Sequence, residues 1–99
     1  MSVSGPGRVV AAVAGELDMA TGPLLRAEAI AAIDTHRPQV FAVDLAGVSF
    51  LDAAGVSTLL AAYWHAHRCG SEFQLINARP PVVRVLSILD LVEALHLTS

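Results

Sequence analysis

The sequence contains no lysine and a single cysteine, and aromatic side chains make up only 5% of its 99 residues. Its six basic residues are all arginines scattered along the chain, and nine acidic residues leave a net charge of −3 at pH 7. A nucleic-acid-binding surface needs a basic patch that neutralises phosphates, so this balance argues against DNA or RNA as a partner. Cys69 has no second cysteine for an intrachain disulfide, which fits a reducing compartment.

Long apolar runs and glycine-rich phosphate loops are also missing. The longest central stretch without a formal charge, Ala53 to Trp64, is too short to cross a bilayer and contains Ser and Thr. The apolar run from Val9 to Val13 is shorter than the core of a secretion signal, and we interpret it as part of a strand. We therefore expect a cytoplasmic protein that does not insert into a membrane and has no nucleotide or other cofactor of its own.

A chain of this length forms one domain, so residues 1–99 are predicted to share a single core. Residues 1–7 are expected to be a flexible end or to hold a short edge strand near Val3. Strands are predicted at residues 8–14, 39–45 and 72–77. Helices are predicted from Thr21 to between Asp34 and Pro38, from Ala53 or Gly55 to Arg68 or Cys69, and from Arg79 onward. Leu91 to Leu97 is compatible with a helical turn or a short strand.

Strands that alternate with amphipathic helices indicate an α/β fold, since helical crossovers connect mainly parallel strands. We predict about four to five strands in a mainly parallel mixed sheet, with three to four helices packed on it. The first strand is expected to pair antiparallel at an edge.

The centre of the sequence is the stretch from Val43 to Leu60. An apolar strand ends at Leu45, Ala46-Gly47 interrupts it, and the chain then reaches Asp52, after which apolar residues follow helical spacing. An Asp at a helix start accepts hydrogen bonds from free N–H groups and suits the positive end of the helix dipole. Gly55 lets another backbone approach closely because it has no Cβ.

A second polar turn, Gly15 to Asp18, is predicted after the first long strand. Asp18 and Asp52 both follow strands, so both are expected at one end of the sheet. A carboxylate pair is one arrangement used in acid–base catalysis. No nucleophile, histidine or phosphate loop accompanies this pair at a recognisable spacing, and turn and cap roles account for both residues.

These two stretches carry a family resemblance. Asp44-Leu45, the run from Val48 to Val56 and Leu59-Leu60 resemble the signature of the STAS domain, and Gly15-Glu16-Leu17-Asp18 with Thr21 resembles the family's upstream turn. The resemblance covers nearly the whole chain and implies a STAS-like fold. It also implies a non-enzymatic interaction module of the anti-sigma factor antagonist type, whose partner is an anti-sigma factor with a kinase-like ATPase domain.

The resemblance further implies a partner-binding surface at the two turns. Its predicted residues are Glu16, Asp18, Thr21, Ser49, Asp52, Ala53, Ala54, Gly55, Val56 and Thr58. In phosphorylatable antagonists a Ser or Thr directly follows the motif aspartate, but this chain has Ala53 there, which has no hydroxyl to accept phosphate. STAS-like domains also serve as cytoplasmic subunits of transporters, including ABC-type lipid systems, so a transporter ATPase subunit is the alternative partner.

Three further sets of residues can be interpreted either as structural or as functional. Ser57 and Thr58 are alternative phosphate acceptors, but hydroxyls early in a helix usually bond backbone carbonyls. His65 and Cys69 lie four residues apart on one helical face, whereas His67 points elsewhere, and two ligands do not make a metal site without a further ligand from elsewhere in the chain. We therefore predict no metal. Trp64 is expected to be exposed, as a boundary aromatic or an interface anchor.

Overall fold

The computed structural model of the protein describes residues 2–3, 7–88 and 97–98. Its elements, in chain order, are β1 (Ser2–Val3), β2 (Arg8–Leu17), α1 (Gly22–His36), β3 (Val40–Leu51), α2 (Ala53–Arg68), β4 (Glu72–Ile76), α3 (Pro80–Ile88) and β5 (Leu97–Thr98). The strands form one sheet in sequence order, with β1 antiparallel to β2 and all other neighbours parallel. The predicted mainly parallel mixed sheet is thus confirmed, with three long central strands and a two-residue strand on each edge.

The core is centred on β3. Phe41, Ala42 and Val43 are consecutive and all buried, so both faces of the strand are covered, as is typical of a central parallel strand. The predicted inner stripe of α1, Leu25, Ala29 and Ile33, is buried. Small side chains on the facing helix, including Ala62 and Ala66, are buried as well. They let α1 and α2 pack closely against each other and against the sheet.

Two predicted strand ends were wrong, because β2 and β3 continue beyond the point where β4 stops. β3 runs through Ala46-Gly47 to Leu51, and β2 runs through Gly15 to Leu17, instead of ending at Leu45 and Ala14. The two strands stay paired by means of two register shifts, each with an extra residue on β3. Gly47 fits because an added Cβ would lie 3.0 Å from the Val13 carbonyl oxygen. The result is a two-stranded extension that projects past the rest of the sheet.

The ends of α1, α2 and β4 agree with the sequence to within one or two residues. Gly70 follows α2 with a φ of +78°, and the N–H of Ser71 bonds back to the Ala66 carbonyl at 2.8 Å. This left-handed glycine ends the helix as predicted. The two interpretations of residues 91–97 concern a segment that lies outside the described residues, except for Leu97. Leu97 is the first residue of β5.

Candidate partner-docking surface

The turn between β2 and α1 is closed by the side chains of Asp18 and Thr21. The Asp18 carboxylate accepts the backbone N–H groups of Ala20 and Thr21 at 2.9 and 3.0 Å. The Thr21 hydroxyl accepts the N–H of Asp18 at 3.0 Å and donates to the Glu16 carbonyl at 2.7 Å. Thr21 precedes α1, as predicted, but its side chain makes no capping bond to the helix. Its hydroxyl is engaged by the turn instead, which gives the turn a defined shape.

These hydrogen bonds also determine the charge of the turn. The backbone N–H of Thr21 has the largest effect and lowers the pKa of Asp18 below its ordinary value of 3.8. Desolvation opposes this effect, and the N–H of Ala20 and the Thr21 hydroxyl each make a smaller downward contribution. Asp18 is therefore ionised at neutral pH. Together with the exposed Glu16, it gives this end of the domain a fixed negative charge.

Asp52 stands at the junction of β3 and α2 and caps the helix, as predicted. Its backbone is extended, and its carboxylate accepts the N–H of Gly55 at 2.9 Å. The cap satisfies one of the N–H groups that the first helical turn leaves without a partner. The backbone N–H of Asp52 also donates to the Leu17 carbonyl at 3.4 Å, which joins the end of β3 to the end of β2.

Gly55 is the point where α2 touches the Asp18 turn. A Cβ added at this glycine would meet the Leu17 carbonyl oxygen and the Leu51 side chain at 2.2 and 2.6 Å, distances that real Cβ atoms do not show. The missing side chain therefore allows the first turn of α2 to lie against the end of β2. This contact fixes the Asp18 turn beside the helix start and makes one composite surface of the two.

Ala53 is exposed in the first turn of α2, at the position next to Asp52. The hydroxyls of Ser57 and Thr58 bond the carbonyls of Ala53 and Ala54 at 3.1 and 3.3 Å, which confirms the structural interpretation of these side chains. Thr58 is also buried against Gly22, where α1 and α2 cross. The exposed side chain next to Asp52 is therefore a methyl group, and the two hydroxyls that follow it in the helix bond backbone carbonyls.

The structure separates the predicted site residues into two layers. The exposed or half-exposed ones are Glu16, Asp18, Thr21, Ser49, Asp52, Ala53 and Ala54. The buried ones are Gly55, Val56 and Thr58. Val56 belongs to the hydrophobic core, so it supports the helix from beneath instead of presenting a side chain. We call the exposed set the docking surface.

Three exposed apolar side chains beside this surface were not predicted as site residues. Met19 in the Asp18 turn is 79% exposed, Leu24 in the first turns of α1 is 67% exposed, and Phe50 near the end of β3 is 49% exposed. Phe50 lies opposite Glu16 in the register of β2 and β3. The signal was present in the sequence, because Leu24 falls outside the buried stripe of α1 and Phe50 precedes the inward-facing Leu51. Exposed apolar side chains that are bordered by polar residues are typical of interaction surfaces.

A shallow cleft of about 390 Å³ opens between α1 and α2 next to the docking surface. Its lining includes Pro23, Arg26 and Ile30 from α1 and Ser57 from α2. A smaller cleft of about 260 Å³ separates β2 from α1 and is lined by Glu16, Thr21 and Leu24, among others. Both clefts are open to solvent, so the surface around them is uneven and not flat.

In the part of the chain that the structure describes, no helix has the length and apolar character needed to span a membrane.

Comparison with known proteins identifies the family. A family model described as "Mlab, STAS domain" matches residues 2–98. The anti-sigma F factor antagonist of Paenibacillus polymyxa is 27% identical over 85 residues, which cover 86% of this chain and 73% of that protein. The crystal structure of an anti-sigma factor antagonist from Mycobacterium paratuberculosis is 30% identical with a TM-score of 0.80, covering 95% of this chain and 79% of that one.

A second kind of protein shares the fold. A sulfate transporter family protein from Wolinella succinogenes gives a TM-score of 0.81 at 20% identity, over 95% of this chain and 75% of that one. The chain described here, with its motifs at Asp18 and Asp52, belongs to the STAS domain family, as its sequence predicted.

Proposed function

We propose that this domain is a non-enzymatic interaction module that binds an anti-sigma factor and thereby releases a sigma factor for transcription. The observation that carries the proposal is the contact between Gly55 and the Leu17 carbonyl, which makes one surface of the Asp18 turn and the first turn of α2. The antagonists from Paenibacillus and Mycobacterium, to which the chain is similar, support the choice of partner.

The composition of the docking surface favours protein binding over catalysis. The Asp18 carboxylate accepts the N–H groups of its turn, and the Asp52 carboxylate accepts the N–H of its helix, so both are engaged in shaping the backbone. Beside them lie the exposed apolar side chains of Met19, Leu24 and Phe50. Apolar anchors with a polar rim are the usual composition of a protein–protein interface.

The charge of the surface indicates the chemistry of its partner. Glu16, Asp18 and Asp52 place carboxylates at one end of the domain. We expect the partner to meet them with a basic patch, because complementary potentials accelerate association. Raising the salt concentration should then slow association more than dissociation, and stopped-flow binding experiments measure both rates.

The partner is proposed to be an anti-sigma factor with a kinase-like ATPase domain, and Ala53 is proposed to make binding constitutive. A phosphate on the residue after Asp52 would add nearly two negative charges to a surface that is already acidic. Alanine removes that possibility, and Ser57 and Thr58 already bond backbone carbonyls. Regulation would then depend on synthesis of the protein or on another subunit.

The first experiment is affinity capture of the tagged protein from its native host, followed by mass spectrometry. An anti-sigma factor with a kinase-like ATPase domain is the expected partner. Ala53→Asp should reduce binding of that partner at least about tenfold, a change of about 1.4 kcal/mol. The same substitution should leave the fold intact, because a carboxylate in the first helical turn suits the helix dipole.

The matched control for this substitution is Ala31→Asp, an identical change at an exposed position on α1 away from the docking surface. Its binding should equal that of the wild-type protein. Equal binding by the Ala53→Asp protein would refute the proposed surface. The Ala53→Ser protein should accept phosphate from ATP when the captured kinase is added. Phosphate incorporation into the wild-type protein would refute the proposal that phosphorylation does not regulate it.

A transporter subunit is the second candidate, because the same fold occurs in a sulfate transporter family protein. In that case the docking surface would contact a transporter ATPase subunit, and the absence of a hydroxyl at position 53 would have no regulatory meaning. Capture of an ATPase and permease pair would establish this alternative in place of the first.

A further inference from the structure

The C-terminal ends of α1 and α2 bring together three side chains with metal-binding donor atoms. Nε2 of His65 lies 2.7 Å from the Asp34 carboxylate and 3.8 Å from Sγ of Cys69. Sγ of Cys69 lies 4.0 Å from the same carboxylate oxygen of Asp34. One donor atom from each residue thus falls within 4.8 Å of the other two.

Helical spacing in the sequence placed two of these three residues on a common face. His65 and Cys69 are four residues apart on α2, and their predicted common face is confirmed by the contact between them. His67 points elsewhere and stacks on Tyr63 with a ring separation of 6.2 Å. Asp34 comes from the other helix, 31 residues earlier than His65. The packing of α1 on α2 supplies the third ligand, which helical spacing alone did not reveal.

The way in which the groups meet distinguishes a chelating site from a catalytic relay. In a nucleophile–histidine–carboxylate relay, the histidine uses one ring nitrogen for the nucleophile and the other for the carboxylate. Here Asp34 and Cys69 both approach the same nitrogen, Nε2 of His65. Three donors that converge on one point are suited to surround a single ion, and they do not pass a proton along a chain.

We propose that Asp34, His65 and Cys69 form a binding site for one divalent transition-metal ion of the Zn²⁺ type. Thiolate and imidazole select zinc-like ions over Mg²⁺ and Ca²⁺, and a carboxylate oxygen completes a set of three protein ligands. The fourth tetrahedral position is left to water. The ion would tie the end of α1 to the end of α2, at the opposite ends of these helices from the docking surface.

The distances are compatible with this assignment. Tetrahedral zinc with bonds of about 2.0–2.3 Å holds its ligand atoms about 3.3–3.6 Å apart. The three observed separations, 2.7, 3.8 and 4.0 Å, lie on either side of that range, so rotations of the side chains suffice to reach it. The ion has a path from solvent, because the Asp34 side chain is 51% exposed while that of His65 is 17% exposed.

The test is a titration of the metal-free full chain with Zn²⁺, monitored by isothermal titration calorimetry. Binding of one ion per chain is expected. Asp34→Asn, His65→Gln and Cys69→Ser should each weaken Zn²⁺ binding at least about tenfold, since even the loss of an outer-shell partner costs about that much. His67→Gln is the matched control on the same helix and should bind as the wild type does.

A second readout does not depend on the stability of the variants. Cys69 is the only thiol of the chain, so its reaction with a thiol reagent reports on this site alone. Zn²⁺ should slow that reaction at least tenfold, and a chelator should restore it. Co²⁺ should produce a thiolate-to-metal charge-transfer band that is absent from the Cys69→Ser protein. A thiol rate unchanged by Zn²⁺, or equal affinity in the Cys69→Ser and wild-type proteins, would leave a simple His65–Asp34 hydrogen bond and overturn the proposal.

Discussion

Replacing Gly55 by alanine tests the contact on which the docking surface depends. The added Cβ would lie 2.2 Å from the Leu17 carbonyl oxygen, whereas ordinary contacts begin near 3.4 Å, so strand and helix must separate by about 1 Å. The obstacle is a backbone atom, and no side-chain rotation removes it. Overpacking of this kind costs about 1–3 kcal/mol, and the upper end applies because the backbone itself must move.

One effect opposes this cost. Alanine is favoured over glycine inside a helix by up to about 1 kcal/mol. The net loss of unfolding free energy is then about 2 kcal/mol. For a domain of this size, each kcal/mol lowers the melting temperature by about 4–8 °C, so Gly55→Ala should melt about 8–16 °C below the wild type.

Thermal unfolding followed by circular dichroism measures this difference. The control is Ala53→Ser, a change at an exposed position in the same helical turn, which should alter the free energy of unfolding by less than about 0.5 kcal/mol. If Gly55→Ala melted within about 2 °C of the wild type, the contact between α2 and the end of β2 would not be as close as the structure shows. Partner binding should fall in the Gly55→Ala protein even below its melting range, because the two halves of the surface move apart.

Three shorter predictions concern single side chains. Asp52→Ala should lower the unfolding free energy by about 1 kcal/mol through loss of the helix cap, whereas Asp52→Asn, which still accepts the N–H of Gly55, should lower it less; urea unfolding distinguishes them. The pKa of Asp18 is lower in the folded state, so its contribution to stability is complete above 3.8 and is lost as the pH falls from there through the folded pKa. Asp18→Asn should therefore flatten the fall in melting temperature in that acidic range, and an unchanged profile would contradict the hydrogen bonds of the turn. Trp64 is the only tryptophan and is exposed, so iodide should quench its fluorescence in the free protein; protection on partner binding would make it an interface anchor.

The sequence predicted those features that depend on neighbouring residues. The cap at Asp52, the left-handed glycine at Gly70 and the buried stripe of α1 each follow from local spacing or from one residue's conformational preference. The close approach at Gly55 was also predicted, because a residue without a Cβ in the first turn of a helix leaves room for a neighbouring backbone. The particular contact, with the carbonyl of Leu17, was not visible until β2 was placed beside β3.

The features that the sequence did not predict depend on pairing between distant segments. Alanine and glycine at positions 46 and 47 normally interrupt a strand, but here β2 pairs with β3 across them by means of bulges. Asp34 had no visible role because its neighbours in space are on another helix. The exposure of Met19 also depends on tertiary packing, because nothing in the spacing of the turn residues shows whether its side chain meets the core or the solvent.

The two proposed sites lie at opposite ends of the same pair of helices, which makes them separable by experiment. His65 follows Ala53 by twelve positions on α2, a distance of about 18 Å along a helix that rises about 1.5 Å per residue. At physiological salt, exposed charges so far apart are largely screened from each other. Ala53→Asp should therefore leave Zn²⁺ binding unchanged, and Cys69→Ser should leave partner binding unchanged. A change in either cross-measurement would contradict this independence and would show that the packing of α1 on α2 couples the two ends.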